Sequence, residues 1–174
     1  MSRADPIDFP IHGSAFGEGF QIALGADIRL AAPDARFSIM ELRWGLVPDM
    51  AASQTLRDLV RLDVAKELLF TGRIFDASEA QRLGLITRIC DDPLNEALRL
   101  AADIANKSPD AVIAAKYLLE TTWHGNPPEA FRLEETLQKS LLGSPNQVES
   151  MKANFEKRMP DFQDPAHATP GRND

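Results

Sequence analysis

Cysteine is nearly missing from this chain. One residue, Cys90, occurs among 174. A single thiol cannot close an internal disulfide or hold a metal cluster by itself, so a reducing compartment is the expected setting. Basic charge is also short: 19 Lys and Arg against 26 Asp and Glu give a net charge of −7. No basic patch dominates, which argues against nucleic acid as the main partner. No apolar run approaches the length of a bilayer span, so no membrane partner is expected. The opening MSRADPIDFP has no apolar signal core, with Asp5, Pro6 and Asp8 where one would sit. Secretion is therefore not expected, and the cytoplasm is the predicted location. There is no internal repeat and no low-complexity block. What remains is 44% hydrophobic and 26% charged, an ordinary globular balance with room for one core and a small appendage.

Residues 1–10 read as an extended arm, because Pro6 and Pro10 oppose regular structure. From Ile11 small and apolar residues alternate, and Gly13, Gly17 and Gly19 precede an apolar helical run over 20–26. Ile28–Ala31 and Arg36–Ile39 read as strands around a Pro33-Asp34 turn, and 41–49 as a loop. Leu56, Leu59 and Val60 fit one helical face, and Val64, Leu68 and Leu69 another, with Gly72 as a stop. Asp76-Ala-Ser-Glu79 has capping-box spacing and opens a short helix ending near Gly84. Residues 85–90 are a strand candidate. Helices follow from Pro93, Ser108-Pro109, Pro127 and Ser144-Pro145, and residues 160–174 read as a frayed tail. The expected organisation is an α/β core over 11–90 and a helical region over 91–159. Packed helices joined by short loops suit a neighbour or a second subunit. Val112, Ile113, Tyr117 and Leu118 are the crowded apolar face expected to drive self-association.

Two constellations could carry chemistry. Gly17-Glu18-Gly19 leads into a helix, so backbone N–H groups there could hold a phosphate or a developing oxyanion. The same glycines suit a plain tight turn. The spacing is not a dinucleotide fingerprint, and no P-loop lysine follows. Glu41 and Asp49 flank an apolar loop, and burial beside Trp44, Leu46 and Met50 would suit both to proton transfer near neutral pH. They could equally be surface acids, or Glu41 could pair with Arg43 or Arg36. His12, His124 and His167 lack metal-ligand spacing, so no metal site is expected. Cys90 reads as a core residue rather than a nucleophile.

Three segments together resemble the crotonase superfamily, the enoyl-CoA hydratase/isomerase proteins. They are IHGSAFGEGFQIALGADIRLAAPDARFSIMELRWGLVPD, LLFTGRIFDASEAQRLGLITRI and SPDAVIAAKYLLE. The likeness runs from about Ile11 to about Arg158. It implies a partial ββα spiral followed by a C-terminal helical trimerisation region. It implies acyl-CoA substrates, coenzyme A only as part of the substrate and no other cofactor, and a homo-oligomer, trimer or hexamer. It implies a thioester enolate stabilised by backbone N–H groups, one of them from Glu18 between Gly17 and Gly19. Glu41 matches the second glutamate of hydratases. Gln21 stands where their first glutamate would be, and a glutamine can orient water but cannot exchange a proton. Asp49 matches the acid of dienoyl-CoA isomerase-like members. The resemblance implies an isomerase or lyase of fatty acid metabolism, and the pair Glu41 and Asp49 looks more like proton shuttling between carbons than like two-glutamate hydration. Family members carry further sequence ahead of His12, with early strands, the other oxyanion N–H and much of the CoA pocket. The chain resembles their C-terminal portion, and a non-catalytic remnant or assembly subunit is the alternative expectation.

Overall fold

The computed structural model describes residues 5–165. The fold is α/β, as the sequence implies, and it divides into two compact units. One is Ile7–Leu100; the other is built mainly of residues 101–165. The division falls inside a helix.

The first unit holds two three-stranded sheets. In one, β3 (Ile28–Ala31) lies between β1 (Asp8–Ile11) and β6 (Arg88–Ile89), all parallel. In the other, β4 (Arg36–Ser38) lies between β2 (Ser14–Phe16), parallel, and β5 (Phe75–Asp76), antiparallel. Residues 8–10 are therefore strand rather than loose arm. Pro10 stands opposite Leu30, and β1 pairs on one side only, where a missing N–H donor is tolerated. The strand expected over 85–90 contracts to two residues, because Leu85 and Ile86 N–H groups turn back to the Ala80 carbonyl.

Helix α1 (Glu18–Leu24) lays Phe20, Ala23 and Leu24 into the core. Phe20, Phe37 and Phe75 meet with ring centroids 5.0–5.9 Å apart, one ring from each of α1, β4 and β5. Burying three aromatic rings at one point dominates the local packing energy. Helices α2 (Ala52–Leu59) and α3 (Leu62–Thr71) add Leu56 and Leu68, and Gly72 ends α3 in a left-handed cap. Helix α4 (Ala77–Arg82) is capped by Asp76, which accepts from the Glu79 N–H at 2.8 Å. The Glu79 carboxylate turns instead to Arg73, and Arg73 also reaches Glu67. Buried Arg29 donates to the carbonyls of Leu85 (2.8 Å) and Ala26 (2.6 Å). Its backbone exchanges bonds with Thr87.

The dividing helix is α5 (Pro93–Ala105). Beyond it, α6 (Pro109–Thr122), α7 (Pro127–Leu141) and α8 (Pro145–Glu156) repeat one local grammar. A capping side chain, Ser108, Asn126 or Ser144, accepts from the N–H three residues on, and proline stands at the first helical position. Helix α6 packs on α7 and α8. Ile113 is buried there, and Val112, Tyr117 and Leu118 are half-buried, so they are not the exposed face the sequence suggested. The exposed large apolar residues here are Leu119, Trp123, Phe131, Leu142, Val148, Met151, Phe155 and Met159.

Residues 160–163 are held rather than frayed. Buried Asn146 donates to Asp110 (2.7 Å) and to the Gln163 carbonyl (3.0 Å), and accepts from the Gln163 N–H (2.9 Å). The rest of the expected tail, 166–174 with His167, lies outside the described residues.

Candidate functional site

Parallel strands β2 and β4 each end at a turn that carries site residues, and ligands of parallel sheets gather beyond such carboxyl ends. After β2, Gly17 takes φ 53° and ψ −124°, a conformation that side chains oppose, and its N–H donates to Ser38 at 2.9 Å. Its carbonyl accepts from Phe20 and Gln21. The N–H groups of Glu18 and Gly19 take no part in these first-turn bonds. Glu18 itself departs from an all-glycine turn without strain. Only Ala51 and Lys157 among the described non-glycine residues have positive φ, and the Glu18 side chain is exposed.

After β4 the chain enters a single 3₁₀ turn, Glu41–Trp44, where the sequence suggested a loop. Glu41 is 8% exposed and Gln21 1%. Neither Arg36 nor Arg43 pairs with Glu41. Its Oε1 accepts from Gln21 Nε2, and Gln21 Oε1 in turn accepts from the Met50 N–H at 2.9 Å. Glu41 Oε2 is buried and has no hydrogen-bond partner among the described residues. A buried carboxylate oxygen left unpaired is costly in a merely structural site. The role of Gln21 is the feature that sequence reasoning missed. The bond spans twenty residues, and no local pattern signals it.

Asp49 lies elsewhere. It is exposed, one residue before the Met50 N–H that Gln21 holds. The apolar shelter expected around it is absent. Trp44 is 75% exposed, and Leu46, Val47 and Met50 are also open. Ala51 follows in a left-handed conformation, φ 66°, and starts α2.

Other candidates stand apart. Cys90 is half-buried, and burial, with Glu96 adding, pushes its thiol pKa up, which disfavours the thiolate. Among the described residues no group of three or more His, Cys, Asp or Glu could hold a metal ion. No described helix is long and apolar enough to cross a membrane.

Comparison with known proteins sets this geometry in context. Residues 9–165 match the family model described as enoyl-CoA hydratase/isomerase. A probable enoyl-CoA hydratase of Mycobacterium bovis is 35% identical over 159 residues, covering 90% of this chain and 62% of that protein. The carnitinyl-CoA dehydratase of Citrobacter koseri is 33% identical over 161 residues, covering 89% of this chain and 62% of its own length. The crystal structure of a probable enoyl-CoA hydratase/isomerase from Mycobacterium abscessus superposes with a TM-score of 0.86 at 35% identity. That superposition covers 92% of this chain and 64% of the other. The chain thus spans less than two thirds of the length of these relatives.

Proposed function

The chain belongs to the enoyl-CoA hydratase/isomerase family, and from that premise we propose that it acts on unsaturated acyl-CoA thioesters through an enolate. The observation that carries this reading is the buried Glu41 carboxylate, which packs its Oε1 against the Gly17 turn and leaves its Oε2 without a hydrogen-bond partner among the described residues. A proton leaves a carbon next to the thioester and passes to Oε2. The C–H bonding pair becomes the enolate, with its charge on the thioester oxygen. The Glu18 N–H, supported by Gly17 and Gly19, faces that oxygen as one donor of the oxyanion site. Backbone donors fixed in place need no reorganisation as charge develops. The proton returns to a different carbon, with Asp49 as the second acid/base. Coenzyme A enters only as part of the substrate, and a trimer or hexamer of this chain is the working assembly.

Incubating the full chain with 3-butenoyl-CoA in deuterated solvent tests the reading. Double-bond migration with deuterium incorporation, lost in Glu41→Gln, is the expected result. Tight binding of acyl-CoA with no exchange would support the assembly-subunit alternative instead.

A further inference from the structure

The hydrogen-bond chain through Gln21 has a fixed polarity. The Met50 N–H can only donate, so Gln21 must present Oε1 to it. The amide is thereby oriented, and Nε2 must face Glu41 and donate to its Oε1. Glu41 Oε1 is then an acceptor in every protonation state that keeps this chain intact. Protonating Oε1 would weaken the acceptor that the Gln21 amide holds, whereas Oε2 has no bond to lose, so a proton bound by Glu41 is favoured on Oε2. The chain also joins the 3₁₀ turn to the backbone beside Asp49, next to the left-handed residue Ala51. Gln21 is 1% exposed, so water does not compete for its amide. A glutamine cannot lose or gain a proton in the working pH range, so this strut does not titrate.

We propose that Gln21 is a positioning residue that holds Glu41 Oε1 as a permanent acceptor and so makes Oε2 the single proton-carrying oxygen. The proposal rests on the reading of Glu41 as the acid/base. Gln21 touches no reacting atom; it acts through Glu41 and through the Met50 backbone. Its replacement by a residue of equal length without an amide leaves both oxygens of Glu41 able to rotate and to carry the proton. A carboxylate of the same length accepts from Met50 but can face Glu41 only when one proton is shared between the two acids.

Gln21→Met, Gln21→Glu and Glu41→Gln in the full chain separate these roles, with 3-butenoyl-CoA as probe. Amide hydrogen exchange at Met50 reads the strut, and deuterium incorporation into the probe, with protein in excess, reads the chemistry. In Gln21→Met, Met50 should lose protection, and incorporation should slow about 10²-fold with acyl-CoA affinity unchanged. In Gln21→Glu, Met50 should stay protected, and incorporation should recover at low pH and fall as the shared proton is lost. The native chain should show no such limb. Native incorporation in Gln21→Met, or unchanged Met50 protection there, overturns the proposal while loss in Glu41→Gln keeps the acid/base reading. Native incorporation in Glu41→Gln, or none in the unaltered chain, removes that reading and the proposal with it.

Discussion

Gly17 stands directly against Glu41: a Cβ built on Gly17 would lie 3.4 Å from Glu41 Oε1. The turn that offers backbone donors and the buried acid are therefore one packed unit, each shaped by the other. Gly17→Ala adds backbone strain at φ 53° and brings its methyl into van der Waals contact with the carboxylate. Unfolding in urea should show a loss of about 1–3 kcal/mol, the usual cost of a side chain in such a conformation. A variant as stable as the native chain would mean that the turn relaxes freely.

Asp49 offers the sharpest test of the two-acid scheme. It is exposed and outside the Gln21–Glu41 chain of bonds. If it moves a proton, Asp49→Asn should slow double-bond migration by about 10²–10⁴-fold. Solvent deuterium incorporation measures this directly. Unchanged incorporation would leave the chemistry to Glu41 alone.

Acid should act on the helical unit through Glu149. Arg158 grips its carboxylate with two nitrogens, at 2.5 and 3.0 Å, and the Asp161 N–H adds a third bond at 2.8 Å. The Arg158 bonds first, and the Asp161 N–H next, lower the Glu149 pKa from 4.5 to about 2. A carboxylate lowered by folding stabilises the fold fully above its unfolded value and loses that contribution as pH falls through the folded one. Protection of the Asp161 amide should decline between about pH 4.5 and about pH 2. Glu149→Gln should abolish that pH dependence in the hydrogen-exchange profile.

Self-association is predicted from the apolar residues that the helical unit leaves open. Trp123 and Phe131 are 68% and 65% exposed, and Phe155 is 82% exposed. Surfaces of this kind on one helical unit mark an interface. Light scattering at micromolar concentration should report a trimer or hexamer, and Phe155→Glu should shift it toward smaller species. A uniform monomer of the unaltered chain would exclude this.

Much of the fold was legible because its signals are local. Ser108, Ser144 and Asp76 announce helix starts through a bond to a residue three positions on, and such bonds form wherever the chain is helical. Gly72 announces a stop in the same way. Strand β1 was hidden because Pro10 forbids a bond that, on a singly paired strand, is not needed. In the site, the glycine turn and Glu41 could be read from the chain's resemblance and residue types. The Gln21 strut could not, since Met50 lies twenty-nine positions away and only the tertiary fold brings its N–H to the amide. Asp49 shows the converse: its apolar neighbours in sequence are not its shelter in space.

Buried Arg29 ties strand β3 to the Leu85 carbonyl, and a kinetic consequence for the Ile7–Leu100 unit is expected from it. Its guanidinium must shed water to enter the core; the Ala26 carbonyl returns one bond locally, and the other returns when the Leu85 carbonyl arrives from fifty-six residues away. Closing so long a loop around a charge is unfavourable until the rest of the sheet is in place. The expected order is that strand β6 docks after the rate-limiting step of refolding. Stopped-flow measurements on Arg29→Met should show faster unfolding with refolding nearly unchanged. A parallel fall in the refolding rate would place this contact inside the transition state. On the expected outcome the lifetime of the folded unit, rather than its speed of formation, is what this buried arginine governs.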